Sequence, residues 1–399
     1  MKIGIFDYEG WNTAAAAVGH QVVNLPITQV SAPGNKQHAT VEARMNTAVE
    51  ARRLIDADRP EFLLDDAGTG LQFARSSSGV ALLHEQVSLP FVSRFVDPVI
   101  LTCLHGVGFP AAYQALLSPT WHKMVWDKAQ MRELIAFQVP NVHHLPMAMP
   151  VNVALKTEPL DADSIDMPVS FVGSKSGSFL QKGRALEAST LQAGLLAEIV
   201  KGTQPDQQFL DVYFDLYGLG ERVSAGDSME SRIAKLAAYY NAKMFYLATA
   251  QIRQRDRYVQ FLAKHRPDKF HLFGKGWDDC NLTPGPFIPT EAFYDHFRRS
   301  LININLTAGH TETGVNMRTF QITAAGGFML CNHQPELADL FDVGKEVDSF
   351  RDESELLEKV DFYIANPDAA IEIAAAGQRR TLRDHMGTNR LQTVIDTVM

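Results

Sequence analysis

The chain has 399 residues, 46% of them hydrophobic and 21% charged, the composition of a globular protein able to bury large cores. At ~100–200 residues per domain, that length predicts two domains. Lys and Arg number 37 against 46 Asp and Glu, a net charge of −9; this argues against a general nucleic-acid binder, which needs a basic surface to displace counterions. Three cysteines (Cys103, Cys280, Cys331) lie far apart with no CxxC pair. They support neither a disulfide framework nor a zinc ribbon, and they fit a reducing compartment. The first ten residues contain Asp7 and Glu9 and no uninterrupted apolar region, so no signal peptide is expected. No run of about 18 uncharged apolar residues occurs, so no membrane span is expected, and the protein is read as cytoplasmic.

In chain order, residues 2–6 read as a strand running into a polar loop. An alanine-rich helix follows over 13–18 and stops at Gly19, and residues 20–25 read as a second strand. Strand, helix and strand in this order predict a parallel pair with a crossover helix. The pattern continues with a helix bearing Arg44, Glu50, Arg52 and Arg53, then strands at 62–64, 91–94, 99–104 and 142–146. A doubly wound domain is expected over 1–155. Residues 156–168 are acidic and proline-containing, without period, and read as a linker. A second domain is expected over 169–375, with strands near 168–172, 270–273, 301–306 and 327–331. A helical insertion is expected at about 185–264, and a terminal helical segment over 376–399. Two α/β domains about a hinge imply a cleft at the carboxyl ends of both sheets.

Two segments have GxGxx spacing, Gly106 to Ala111 and Gly274 to Asp279. A dinucleotide site would also want an acidic residue closing the next strand, ~20 residues on. Asp127 is near that distance but lies in a helix-like stretch, so turn glycines explain the spacing better. Gly173-Ser174-Lys175 is a different case: a strand runs into a glycine and serine loop with Lys182 and Arg184 close behind. Backbone amides and basic side chains at a helix start suit a phosphate, although GxxxxGK[ST] is absent. The densest constellation is Asn303, Asn305 and Thr307, then Gly314, Asn316, Arg318 and Gln321, then Gly326-Gly327. Arg318 near a helix start combines a fixed charge with free amides and suits a diphosphate. Gln321 lies three residues on, placed for a ribose or base edge. No HExxH or GxSxG occurs, so neither a metal-centred reaction nor a Ser-His-Asp hydrolase is expected.

Phe171-Val-Gly-Ser174, Phe273-Gly-Lys-Gly-Trp277, Leu301-Ile-Asn-Ile-Asn-Leu306 and Arg318-Thr-Phe-Gln-Ile-Thr-Ala-Ala-Gly-Gly-Phe328 occur in the same order as in the CgeB-like (spore maturation protein) glycosyltransferases. Glu336-Leu-Ala-Asp-Leu-Phe341, Gly344-Lys-Glu346 and Tyr363-Ile-Ala-Asn-Pro367 fit as well. The chain resembles that family over roughly 168–390, and more loosely at Gly19 to Val22 and Leu145 to Ala148. The resemblance implies the GT-B fold: two Rossmann-like domains facing an interdomain cleft, the second holding a nucleotide-diphosphate sugar of UDP, GDP or dTDP type. The terminal segment 376–399 would cross back to the first domain. The implied reaction moves the sugar to a hydroxyl of a protein, glycan or small molecule without a metal. Arg318 would be the main phosphate contact, assisted by Lys175, Arg184 and Lys275. Gly173, Ser174, Gly274, Asn305, Asn316, Thr319, Gln321, Gly326 and Gly327 would line the donor pocket. His105 or Asp97 would orient or deprotonate the acceptor, with Asp7, Glu9 and Asp65 as further polar groups at strand ends. A homodimer is compatible with this reading. Relatives usually carry Glu where this chain has Gln321. That departure keeps two alternatives open, a catalytically silent sugar-nucleotide binding protein and a GT-B-like sugar-nucleotide epimerase.

Overall fold

The apolar runs assemble into two parallel sheets. A computed structural model describes residues 1–6, 10–27, 41–68, 70, 73–76, 79–99, 109–158, 160, 162–175, 208–217, 222–246, 252–278, 280, 282–307 and 311–399. The first sheet contains β1 (Lys2–Phe6), β2 (Gln21–Asn24), β3 (Phe62–Asp66), β6 (Phe91–Phe95), β7 (Trp121–Val125) and β8 (Val142–His144). Its order is β2-β1-β3-β6-β7-β8, and all its pairs are parallel. A small antiparallel hairpin of β4 (Phe73–Ser76) and β5 (Gly79–Leu82) stands apart. The second sheet contains β9 (Met167–Val172), β10 (Phe270–Phe273), β11 (Ser300–Asn305), β12 (Met329–Asn332) and β13 (Asp348–Phe350), in the order β10-β9-β11-β12-β13. Its strands are also all parallel. Both central strands are buried along their length, as helices on both faces of a parallel sheet require.

The helical stretch departs from the sequence expectation. Residues 185–207 of the expected insertion lie outside the described residues. The helices Phe209–Tyr217 and Met229–Tyr246 share one apolar core with the first domain: Phe209, Tyr213, Leu236 and Tyr239 pack with Tyr113 and Phe137. The rings of Tyr239 and Phe137 lie 5.1 Å apart, and Arg132 pairs with Asp211 at 2.9 Å. Their amphipathic faces carry aromatics that the first sheet's outer helices cover. Of the described helices in this stretch, Ile252–His265 alone packs on the second sheet, through Tyr258, Val259 and Leu262.

The last helices bind the two domains. Pro367–Asp384 packs on Met317–Ala325 of the second domain. Gly387–Val398 lies on the first domain, where Leu391, Val394 and Ile395 join Ile3, Ile5 and Phe62 in one core. Arg390 fixes this crossing by donating to the carbonyls of Pro146 (2.8 Å) and Met147 (3.1 Å). Among the described residues, no helix is long and apolar enough to cross a membrane.

Gly377 shows how closely these helices sit. A Cβ there would meet the backbone oxygen of Glu346 at 2.2 Å. Glycine to alanine inside a helix ordinarily gains ~1 kcal/mol. Here a backbone atom blocks the methyl group, so Gly377→Ala is expected to lose ~1–3 kcal/mol, the usual cost of overpacking. A lowered urea midpoint would register it, and a raised midpoint would refute the tight packing.

Candidate functional site

The second sheet's carboxyl ends are closed by two stitched loops. Past β9, Gly173 donates its N–H to the carbonyl of Phe273 at 2.9 Å, and Lys175 donates to the carbonyl of Lys275 at 2.8 Å. The Trp277 indole donates to the carbonyl of Gly173 at 2.7 Å. Gly274 has φ +129, and a Cβ there would lie 2.4 Å from the Gly173 oxygen, so only glycine fits this approach. Ser174 Oγ accepts from the Lys275 amide at 3.3 Å. The ammonium of Lys175 lies 6.0 Å over Trp277, and that of Lys275 lies 5.4 Å over Phe287.

Beside these loops stands the helix Met317–Ala325, capped by Asn316, whose side chain accepts from the Thr319 amide at 3.2 Å. Asn316 and Asn305 exchange two amide hydrogen bonds of 3.1 Å each, and Asn305 also donates to Thr319 Oγ1 at 3.0 Å. Asn303 donates to the carbonyls of Phe297 (3.0 Å) and Phe328 (3.2 Å). These asparagines and Thr319 therefore fix the helix start; their polar atoms are engaged with one another.

Arg318, the second residue of that helix, turns its guanidinium over Phe293 at 4.1 Å and Phe297 at 5.4 Å. Its Nη1 is buried without a hydrogen-bond partner. A second arginine, absent from the sequence reading, stands nearby. Arg255 lies 5.2 Å over Phe171, and its Nε is also buried without a partner. A Cβ on Gly173 would fall 2.1 Å from Arg255 Nη2, so the glycine makes room for this cation. Burial, then the charge of Arg255, pushes Arg318 down to about 10. Burial lowers Arg255 too, partly offset by Asp256. Two buried cations repel each other at one end of the sheet. Gln321 lies beside Tyr294, whose hydroxyl is raised by burial and drawn down by a hydrogen bond to Gln321 and by the Arg318 charge.

At the first sheet's carboxyl ends, Asp66 is held by Arg94 (2.6 and 2.8 Å) and by the Trp11 indole (3.0 Å), a structural clamp. Asp65 is fully buried and accepts from the Gly70 amide, while its Oδ1 has no partner. Burial pushes it up to about 7, against a hydrogen bond from Ser93. Asp97 is exposed just past β6. Asp127 caps the helix Lys128–Ala136 through the Ala129 amide at 2.8 Å. It also reaches the second domain, accepting from Thr313 Oγ1 at 2.6 Å and from the Glu312 amide at 2.7 Å. Glu336 accepts from the Lys128 amide at 2.7 Å and faces His144 at 2.7 Å. Lys243 pairs with Glu133 and, at 2.7 Å, with Glu312.

A family model described as glycosyl transferase-like matches residues 253–396, a span that contains Arg255, Lys275 and Arg318. The whole chain superposes on sucrose-phosphate synthase from Thermosynechococcus elongatus with a TM-score of 0.50 at 12% identity, covering 99% of this chain and 98% of that one. The chain therefore has the GT-B fold, and its residues 253–396 resemble a glycosyl transferase family. An alpha-glucosyltransferase in complex with UDP and a 13-mer DNA superposes with a TM-score of 0.49 at 11% identity, covering 100% and 99%. Anabaena HepE in complex with UDP and glucose does so at 0.45 and 9%, covering 99% and 90%. No curated protein matches.

In this fold some of the expected site residues stand elsewhere. Gly326, with φ +81, ends the helix, and a Cβ there would meet Arg298 Nη1 at 2.9 Å and Gln378 Nε2 at 3.1 Å. Gly327 faces Asn303 Nδ2, 2.8 Å from its would-be Cβ. Both precede β12 and so lie at the opposite end of the sheet from Arg318. They serve close packing there and do not line the pocket at the carboxyl ends. His105, Arg184, Lys182, Asp7 and Glu9 lie outside the described residues. Arg255 carried no sequence signal, since Arg253 and Arg257 flank it in the same helix and only the fold opposes it to Gly173.

Proposed function

We propose that this chain is a glycosyltransferase of the CgeB-like kind that moves a sugar from a nucleotide-diphosphate donor to a hydroxyl acceptor. The observation that carries the reading is the pair of buried guanidinium nitrogens without a hydrogen-bond partner, Arg255 Nε and Arg318 Nη1, at the carboxyl ends of the second sheet. As the glycosidic bond breaks, negative charge builds on the leaving diphosphate. Fixed cations in a site shielded from water stabilise that charge without reorganising. Two guanidiniums supply this charge with no need of a metal, and the Lys175 and Lys275 ammoniums flank the same end. Asn305, Asn316 and Thr319 position Arg318 rather than touch the donor. The acceptor is assigned to the first domain, where Asp97 and His105 are the proposed groups that orient or deprotonate its hydroxyl.

Gln321 favours one rival. Its amide, engaged by Tyr294, lacks the charge of a carboxylate, as a silent sugar-nucleotide binder would tolerate. Incubation with UDP-, GDP- and dTDP-sugars and a panel of hydroxyl acceptors decides between them. Nucleotide released only in the presence of acceptor is the expected result. Binding without turnover would support the silent protein, and an interconverted sugar would support the epimerase.

A further inference from the structure

The loop leading from β11 into the arginine-bearing helix is gripped by the opposite domain. The Asp127 carboxylate accepts from the Glu312 amide at 2.7 Å, the Thr313 amide at 3.3 Å and Thr313 Oγ1 at 2.6 Å. Asp127 is 2% exposed and Thr313 is 6% exposed. At Gly314 the two backbones nearly touch: a Cβ would lie 3.0 Å from the Trp126 oxygen and 3.2 Å from Asp127 Cα. Two residues later Asn316 caps the helix, and two further on stands Arg318. The loop is thus anchored in its own domain by Asn305 on Asn316 and by Glu336 on Thr313, and across to the first domain by Asp127 on residues 312 and 313 and by Lys243 and the Phe209 amide on the Glu312 carboxylate.

We propose that Asp127 is a positioning residue for the donor site supplied by the acceptor domain. Its carboxylate holds residues 311–316 so that Arg318 meets a diphosphate only when the two domains are closed. The proposal rests on the reading of Arg255 and Arg318 as the diphosphate site. When the domains part, the Asn305 anchor stays and the Asp127 anchor is lost, so donor affinity carries the closing of the cleft. Charge-assisted hydrogen bonds from backbone amides to a buried carboxylate are the strong kind and suit such a grip.

Asp127 also caps its own helix, and the test must separate the two roles. Asp127→Ser keeps a good cap but is too short and uncharged to hold the loop. Thr313→Val removes the hydroxyl on the other side, with its contacts to the Ala129 amide and Glu336, while Asp127 Oδ1 stays on that amide as the cap. UDP, GDP and dTDP would be titrated calorimetrically into the full chain, into both variants and into Arg318→Met, with urea midpoints taken alongside. For the nucleotide that binds the wild type tightest, Asp127→Ser should weaken binding about tenfold and Thr313→Val about threefold, the scale of one or two hydrogen bonds. In turnover the donor KM should rise by the same factors while kcat at saturating donor is kept. Wild-type affinity in both variants, with binding lost in Arg318→Met, would overturn the positioning role and leave the diphosphate reading standing. Wild-type affinity in Arg318→Met, or no binding of any of the three by the wild type, would overturn both. A lowered midpoint with unchanged affinity would reduce Asp127 to a cap and overturn the proposal.

Discussion

Arg318→Met should abolish the binding of a nucleoside diphosphate while leaving the free protein at least as resistant to urea as the wild type. The two halves of that result have one cause. Arg318 is held charged in a largely buried place with no hydrogen-bond partner for Nη1, facing a second cation, Arg255. Depression from 12.5 to about 10 corresponds to on the order of 3 kcal/mol of destabilisation at neutral pH. Stacking on Phe293 returns ~0.5–2 kcal/mol of it. Methionine retains most of the apolar contact and removes the charge, so the free fold should gain or break even. An arginine with a merely structural role would show the reverse, a lowered midpoint. Arg255→Met should weaken diphosphate binding by about a hundredfold, within the range for losing charged hydrogen bonds. Gly173→Ala extends the test without substituting either cation. Its methyl group would occupy the place of Arg255 Nη2, 2.1 Å away. The nearest obstacle is the end of a flexible side chain and the next, the Phe171 ring at 2.9 Å, needs only a small shift, so the variant should fold with Arg255 displaced and bind diphosphate poorly. Full binding by Gly173→Ala would remove Arg255 from the site.

How much of this was legible beforehand depended on whether the cause was local. The strands were legible because a strand buried on both faces is a continuous apolar run, as Phe62-Leu-Leu64 and Leu301-Ile-Asn-Ile-Asn-Leu306 are. Arg318 was legible because a capping asparagine two residues before a cation marks a helix start, a feature of spacing alone. Arg255 was not. It belongs to a helix in which Arg257 does the ordinary thing, pairing with Glu353 at 2.6 Å, and its proposed role depends on Gly173, 82 residues earlier in the chain. Gly326 and Gly327 misled for a related reason. A glycine pair closing a helix reads the same whether it faces a ligand or a neighbouring helix, and only the direction of β11 and β12 places it at the far end of the sheet. The aromatic helices Phe209–Tyr217 and Met229–Tyr246 were legible as helices. Their attachment to the first domain was not, because amphipathicity says that a face is covered and not by what.

The same limit hid Asp65, which in sequence is one of two adjacent acids at a strand end. In the fold, Asp66 has Arg94, whereas Asp65 has neither an ion pair nor a partner for Oδ1. Burial pushes its carboxyl up to about 7 from an ordinary 3.8, with the charge of Asp66 adding to the rise. Between these values the folded chain holds a proton that the unfolded chain has released. Stability is therefore greatest below about pH 4 on this account and falls as pH rises through 7, by up to ~1.4 kcal/mol per pH unit. Asp65→Asn removes the titration and keeps a carbonyl oxygen for the Gly70 amide. The variant should match the wild type near pH 3 and exceed it by about 4 kcal/mol at pH 8, read from urea midpoints at the two pH values. Parallel profiles for the two proteins would mean that Asp65 is ionised in the fold at neutral pH. The same variant also probes chemistry. Asp65 closes β3 at the end of the sheet proposed to face the acceptor, where a carboxyl that changes charge near pH 7 is suited to proton transfer. If transfer to acceptor falls in a variant that is more stable at pH 8, the strained carboxyl was kept for the reaction. If transfer is unchanged, Asp97 and His105 remain the acceptor-side groups to test.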